Sequence, residues 1–433
     1  MNNKVNIVTL GCSKNVVDSE KLLRQLSAGG FELVHNSDDL SAGTVIINTC
    51  GFINDAKEES IDTILRFVKA KQQGSIENLY VMGCLAERYM HELKDEIPEV
   101  KQYFGVNNFT GILSEMGLSL RDDLLTDRLL TGPDHYAYLK ISEGCDRTCS
   151  FCAIPMIRGK YISRPVEELL NEALKLSNSG VKELILIAQD LSYYGLDLYR
   201  KQKLPELVRN LLNIKDLEWI RLHYLYPANF PDELIDLIAE NPRICNYIDI
   251  PVQHITDNML SIMRRSHNRK ETIKLLDKIR KKIPNAAIRT TLISGHPGET
   301  ADDHRQLVDF VREFRFDRLG VFPYSHEEDT HSFRNYKDEI PEEIKKDRVD
   351  ELMSVQQEIS LENNLSKKGK ILKVLIDNRE GDYYTGRTEH DSPEVDQEVL
   401  IPASYEIIPG SFYNIRITDA TEFDLYGEPG RQI

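Results

Sequence analysis

Three cysteines fall within eight residues, Cys145, Cys149 and Cys152, spaced C-x3-C-x2-C. Thiolates are soft ligands that suit iron–sulfur clusters, zinc or copper(I). A structural zinc site asks for four protein ligands, often supplied as C-x2-C pairs, and no histidine or fourth cysteine stands close by. A zinc knuckle completed from elsewhere in the chain stays open as an alternative. A [4Fe–4S] cluster usually takes four cysteines. Held by three, it keeps one iron free to bind another group, and the odd spacing favours that reading.

Cys12, Cys50 and Cys84 are far apart in sequence but share a context. Each follows an apolar run, at 4–10, 44–48 and 79–82, and each has a glycine neighbour, Gly11, Gly51 and Gly83. Helical periodicity follows at 17–27, at about 56–71 and beyond Cys84. Strands alternating with helices imply βα units around a parallel sheet. The carboxyl ends of such strands share one edge, where open α/β sheets bind ligands. The three thiols are therefore expected to converge as a second three-ligand site, the alternative being three separate core thiols. Cys245 belongs to neither set and reads as a core thiol.

These sites need a scaffold. Six apolar runs at βα spacing occupy the middle of the chain, at 136–142, 183–188, 219–224, 247–250, 287–293 and 318–322. Helical patterns separate them near 166–177, 204–212, 232–238, 272–282 and 301–314. This predicts a partial (βα)6 barrel of TIM type with its site at the strand carboxyl ends. The cysteine loop follows the first of these strands. Polar residues closing the others are candidate ligand contacts: Gln189 and Asp190, His223, Gln253 and His254, Thr291 with the loop 294–299, and Tyr324 and Ser325. Gly295 and Gly298 permit close backbone approach to a ligand. Arg264-Arg265 and Lys281-Lys282 read as solvated helix faces.

Short strands at 371–377, 383–388, 399–402, 411–418 and 423–426 predict a small antiparallel β-barrel of OB type. Residues 365–433 carry 8 Lys and Arg against 13 Asp and Glu. That sign suits a basic protein partner better than phosphate. The fold class is α/β, divided at 1–120, 131–362 and 365–433.

The whole chain of 433 residues has a formal charge of −16 and a hydrophobic fraction of 41%, ample for several cores. No run of about 18 apolar residues marks a membrane span, and the first residues lack the apolar region of a secretory signal. Seven cysteines make an odd number for a disulfide framework. Clustered thiols of this kind read as metal ligands in a reducing cytoplasm.

The motif C-x3-C-x2-C with Phe151 before its third cysteine resembles the radical S-adenosylmethionine superfamily. Together with the second cysteine set, the barrel and the β-rich tail, the chain resembles the methylthiotransferases, which join an N-terminal methylthiotransferase domain, a radical S-adenosylmethionine core and a TRAM domain. Several stretches are similar to the branch that modifies a ribosomal protein: Cys152-Ala153-Ile154-Pro155 with Arg158-Gly159-Lys160, Ile187-Ala188-Gln189-Asp190, Tyr224-Leu225-Tyr226-Pro227, Asp249-Ile250-Pro251-Val252-Gln253-His254 and Phe322-Pro323-Tyr324-Ser325. His296 stands where relatives often carry Phe.

The resemblance implies two [4Fe–4S] clusters. Cys145, Cys149 and Cys152 hold the radical-generating one, and Cys12, Cys50 and Cys84 hold an auxiliary one that carries the sulfur to be transferred. S-adenosylmethionine serves as methyl donor and radical source, with Phe151, Gln189, Gln253, Thr291 and Gly295 as its expected contacts. No catalytic residue beyond the cluster ligands is assigned. The implied product is a methylthio group on the β-carbon of an aspartate of small-subunit ribosomal protein S-twelve, free or in the assembled subunit. An electron donor such as flavodoxin or ferredoxin and a cytoplasmic monomer complete the expectation. Two other readings stand beside it: a tRNA-adenosine methylthiotransferase with the same cofactors, and a non-catalytic iron–sulfur electron carrier or RNA-binding protein.

Overall fold

The computed structural model describes residues 3–38 and 40–432. The first strands, β1 (Lys4–Thr9), β2 (Glu32–His35), β3 (Thr44–Thr49), β4 (Asn78–Gly83) and β5 (Gln102–Phe104), form a parallel sheet in the order β2-β1-β3-β4-β5. Alternate side chains of a strand face opposite sides. Ile46 accordingly packs with Leu22 and Leu26 of the helix Ser13–Ala28. Its neighbours Val45 and Ile47 pack with Ile64, Phe67 and Leu85 from the helices Asn54–Gln72 and Cys84–Glu96. Both faces are covered, so β3 is buried throughout.

The central strands are β6 (Tyr136–Lys140), the short β7 (Ser142–Glu143) and β8 (Ile162–Ser163), then β9 (Glu183–Ile187), β10 (Trp219–Leu222), β11 (Tyr247–Asp249), β12 (Ala287–Ser294) and β13 (Arg318–Pro323). All six expected runs are strands. They form two parallel sheets, β10-β9-β6 and β11-β12-β13, with a single bridge, Ile220 to Ile244, beside the seam between β10 and β11. The β7–β8 hairpin clasps the base of the cysteine loop. The helix Ser13–Ala28 of the first sheet leans on the barrel, where Val17 shares an apolar cluster with Tyr138, Ile185 and Ile187.

The helix Glu342–Leu365, for which the sequence reading made no assignment, buries Leu352, Val355 and Ile359 in the barrel core. It leads into β14 (Ile371–Glu380), β15 (Tyr383–Thr388), β16 (Val399–Pro402), β17 (Phe412–Ala420) and β18 (Leu425–Gln432), a closed barrel in the order β14-β15-β16-β18-β17. Its pairs are antiparallel except β16–β18, which run parallel. Leu375 and Phe412 of this barrel pack on Trp219, Cys245, Tyr247 and Ala287 of the central one, so Cys245 is a core thiol. Among the described residues no helix is long and apolar enough to cross a membrane.

Candidate active site

All seven cysteines are free thiols. Cys12 caps the helix Ser13–Ala28, and Cys84 opens the helix Cys84–Glu96 directly after β4. Cys50 follows β3, its amide donating to Ser60 Oγ at 3.1 Å. The sheet therefore brings all three to its carboxyl edge, on adjacent strands. Gly11, at φ +86°, makes room for this: a Cβ there would lie 2.7 Å from Cys50 Cβ and 3.0 Å from Cys50 Sγ. Asn15 stitches the edge together, donating to Leu10 O at 2.8 Å and Thr49 O at 3.1 Å.

The thiols feel one another and two cations. Burial pushes Cys84 up to about 12 despite Arg158, and burial also raises Cys50. At Cys12 burial opposes ionisation, but Lys14, Arg158 and the amides of Asn15 and Lys14 outweigh it and lower the pKa. Metal binding requires the thiolate, and of the three only Cys12 has surroundings that favour it.

The second set rides on the loop from β7 to β8. Gly144, at φ +70°, could not carry a side chain, because a Cβ would come within 2.0 Å of Lys160 O. Cys145 N donates to Gly159 O at 3.1 Å, its Sγ receives the Arg147 amide at 3.4 Å, and Cys152 N donates to Cys149 O at 3.2 Å. Burial raises Cys145 to about 11. Arg265 was expected on a solvated face. Instead it is buried, with Nη1 at 3.3 Å from Cys149 Sγ, Nη2 donating to Pro251 O at 2.6 Å and its guanidinium 4.2 Å above the Tyr226 ring. Its neighbour Arg264 takes the turn, at φ +54°.

A cavity of about 550 Å³ is lined by residues adjoining both sets, though by none of the cysteines themselves. Phe52 to Asp55, just after Cys50, form one wall, and Phe151, inside the cysteine loop, contributes to another. Of the expected cofactor contacts, Phe151, Gln253 and Thr291 line it, whereas Gln189 and Gly295 are not among its lining residues. Gly295 packs instead on the stem of Lys345, and its amide donates to Glu299, which is also held by Arg348 at 3.1 Å. Gln253 sits at φ +71°, and its Oε1 is buried with no hydrogen-bond partner among the described residues.

The remaining strand-end candidates divide. Tyr324 and Ser325 line the cavity. Asp190 anchors Arg147 at 2.8 Å. His223 points to the tail barrel, 2.9 Å from Ser392 Oγ, and burial pushes its pKa down to about 3. His296 is buried against Ser332 Oγ at 2.8 Å, and His254 lies 3.6 Å from Glu299. Sequence reasoning missed Glu327, which closes the cavity across the domain junction. It receives Arg88 at 2.6 Å and Lys57 at 3.0 Å, both from helices that follow cysteines of the first set.

Among the described residues no three His, Cys, Asp or Glu side chains are gathered tightly enough to hold a single metal ion. The first set is drawn from three adjacent strand ends with small glycine neighbours, and the second from a single loop.

Comparison with known proteins agrees along the chain. Residues 139–311 match the radical SAM superfamily, residues 4–105 match an uncharacterized protein family, UPF0004, and residues 369–429 match the TRAM domain. A ribosomal protein uS12 methylthiotransferase RimO of Phocaeicola vulgatus is 54% identical over 425 residues, covering 98% of each chain. One of Christiangramia forsetii is 53% identical over 428 residues, covering 99% of this chain and 94% of its own. In fold, the chain is similar to the radical S-adenosylmethionine methyltransferase TsrM of Kitasatospora setae, with a TM-score of 0.54 at 15% identity over 75% of both chains. It is also similar to the cobalamin-dependent radical enzyme OxsB, with a TM-score of 0.51 at 12% identity over 82% of this chain and 56% of that one.

Proposed function

The chain belongs to the family of ribosomal protein uS12 methylthiotransferases, radical S-adenosylmethionine enzymes, and from that premise we propose that it places a methylthio group on the β-carbon of an aspartate of uS12. The observation that carries the proposal is a cavity lined both by the residues just after Cys50 and by Phe151 of the cysteine loop. Cys145, Cys149 and Cys152 are the ligands of the radical-generating [4Fe–4S] cluster, and Cys12, Cys50 and Cys84 those of an auxiliary one. Bound there, the clusters and S-adenosylmethionine supply the radical and the methylthio group, the part of the reaction that is cofactor chemistry.

The protein's own part is placement and exclusion. Phe52, Phe151, Ile293 and Phe322 give the cavity apolar walls that keep water from a reactive centre. Gln253 offers an unused acceptor and Thr291 a hydroxyl to position S-adenosylmethionine. Asp55, Glu327, Asp338 and Glu342 add carboxylates to the lining, of which Glu327 is paired with Lys57 and Arg88, and Asp338 and Glu342 with Lys345. Holding both reacting partners in one chamber converts their encounter into an intramolecular event. The domains fall at 1–120, 131–362 and 365–433, and the chain works as a cytoplasmic monomer reduced by flavodoxin or ferredoxin.

The direct test is anaerobic incubation of the reconstituted chain, S-adenosylmethionine and a reductant with intact small ribosomal subunits or with tRNA. Mass spectrometry is expected to find the methylthio group on an aspartate of uS12. A methylthioadenosine in tRNA, with uS12 unchanged, would move the chain to the tRNA branch.

Gly11 gives a second expectation. A left-handed backbone costs an L-residue about 1–2 kcal/mol, and an added methyl would press on Cys50. Gly11→Ala is expected to lower iron at the auxiliary site while the other site fills normally, read as iron per chain after reconstitution. Unchanged iron would show that the edge has slack.

A further inference from the structure

We propose that Arg158 is a positioning residue that couples the two cysteine sets, being carried by the loop of one and held against a thiol of the other. The inference rests on the reading of Cys12, Cys50 and Cys84 as ligands of one cluster.

Arg158 ends the short helix Ile154–Arg158, which starts just after Cys152. Its side chain is 1% exposed, yet it turns away from its own loop. Nη2 donates to Asn15 Oδ1 at 2.6 Å and lies 3.4 Å from Cys84 Sγ. Nη1 donates to Glu143 Oε1 at 2.8 Å and reaches Asp18 Oδ2 at 3.5 Å. Every one of these partners belongs to a segment that carries or frames a cysteine. Asn15 and Asp18 lie on the helix capped by Cys12, Cys84 opens its own helix, and Glu143 is in the hairpin that clasps the cysteine loop.

The charge pattern gives the guanidinium its role. Lys140 pairs with both Asp18 and Glu143, so these two carboxylates already face a second cation. Lys140 and Arg158 together balance Asp18 and Glu143, and it is the Arg158 Nη2 end of this group that reaches the Cys84 sulfur. The planar fork of arginine can serve Glu143 and Cys84 together, whereas a lysine ammonium is a point charge on a flexible stem. Hydrogen bonds and positive charge at ligand sulfurs are levers on the reduction potential of a cluster. Arg158 should hold the auxiliary cluster at a higher potential than its thiolates alone would give.

The test is a redox titration of the full-length, anaerobically reconstituted chain, followed by electron paramagnetic resonance. Arg158→Gln is expected to shift the reduction equilibrium of the auxiliary cluster about tenfold toward the oxidised form, about 59 mV for a one-electron couple. Arg158→Lys keeps the charge that Asp18 and Glu143 require, so it folds even if the glutamine variant does not, and it should give a smaller fall in the same direction. A wild-type potential at the auxiliary cluster in every variant that binds iron would overturn the proposal. If the unsubstituted chain takes iron only at Cys145, Cys149 and Cys152, the ligand reading itself fails, and the two failures are thus told apart.

Discussion

Replacement of Cys12, Cys50 and Cys84 together by alanine is expected to abolish methylthio transfer to uS12 while 5′-deoxyadenosine release from S-adenosylmethionine persists. The two activities separate because each cysteine set is carried by its own segments, although Arg158 and the contact of Cys84 with Ala153 and Ile157 join them. Cys145, Cys149 and Cys152 ride on a loop pinned by the β7–β8 hairpin, by Arg147 on Asp190 and by Arg265. None of these anchors lies on the first sheet. The alanine variant should bind about four irons per chain where the parent binds about eight, one cubane in place of two. Substitution of Cys145, Cys149 and Cys152 should remove both activities, since no radical source then remains. Continued transfer in the first variant would mean that sulfur reaches the target by a route that bypasses the sheet edge.

The second large effect concerns the joint between the barrel and the tail. Glu183 is fully buried at the start of β9 and holds two arginines at once, Arg221 at 2.7 Å and Arg387 at 2.7 Å. Arg387 also meets Asp377 at 2.6 Å, and Arg221 donates to Glu389 O at 2.8 Å. Removing one member of a buried charge network leaves the others unpaired and costs about 3–5 kcal/mol. Glu183→Ala should therefore lower the free energy of urea unfolding by that much, and a loss below about 1 kcal/mol would show that water reaches the joint.

Acid should act on the same joint. Burial opposes ionisation of Glu183 and Asp391, but Arg387 and Arg221 hold the first below the usual carboxylate range. Arg318 and Lys367 hold the second at about 2. A carboxyl whose folded pKa is depressed contributes stability above its unfolded value, near 4, and loses it as the pH falls through the folded one. Unfolding midpoints should thus be steady above about pH 5 and drop between about pH 4 and pH 2.

The six barrel strands and the strand-end position of Cys12, Cys50 and Cys84 were legible because apolar runs of buried parallel strands stand out from the helices between them. The strands β2 and β5 were not. They are short and include edge positions, and ELVH or QYF carries no run long enough to notice. The helix Glu342–Leu365 hid for another reason. Charges surround it, and only Leu352, Val355 and Ile359 mark the buried stripe. Arg265 and Arg158 were unreadable as sulfur partners, because a buried guanidinium looks in sequence like any surface arginine. Gln253 and Thr291 could be named from strand ends alone, but the same rule equally named His223, which the tail barrel covers.

In the proposed enzyme two clusters look into one chamber. Crystals of the anaerobically reconstituted chain, measured at the iron absorption edge, test it most directly. Two separate iron peaks are expected, one beside Cys145, Cys149 and Cys152 and one beside Cys12, Cys50 and Cys84, with the space lined by Phe151, Gln253 and Thr291 between them. A single peak, or a second one lying away from the carboxyl edge of the first sheet, would contradict it.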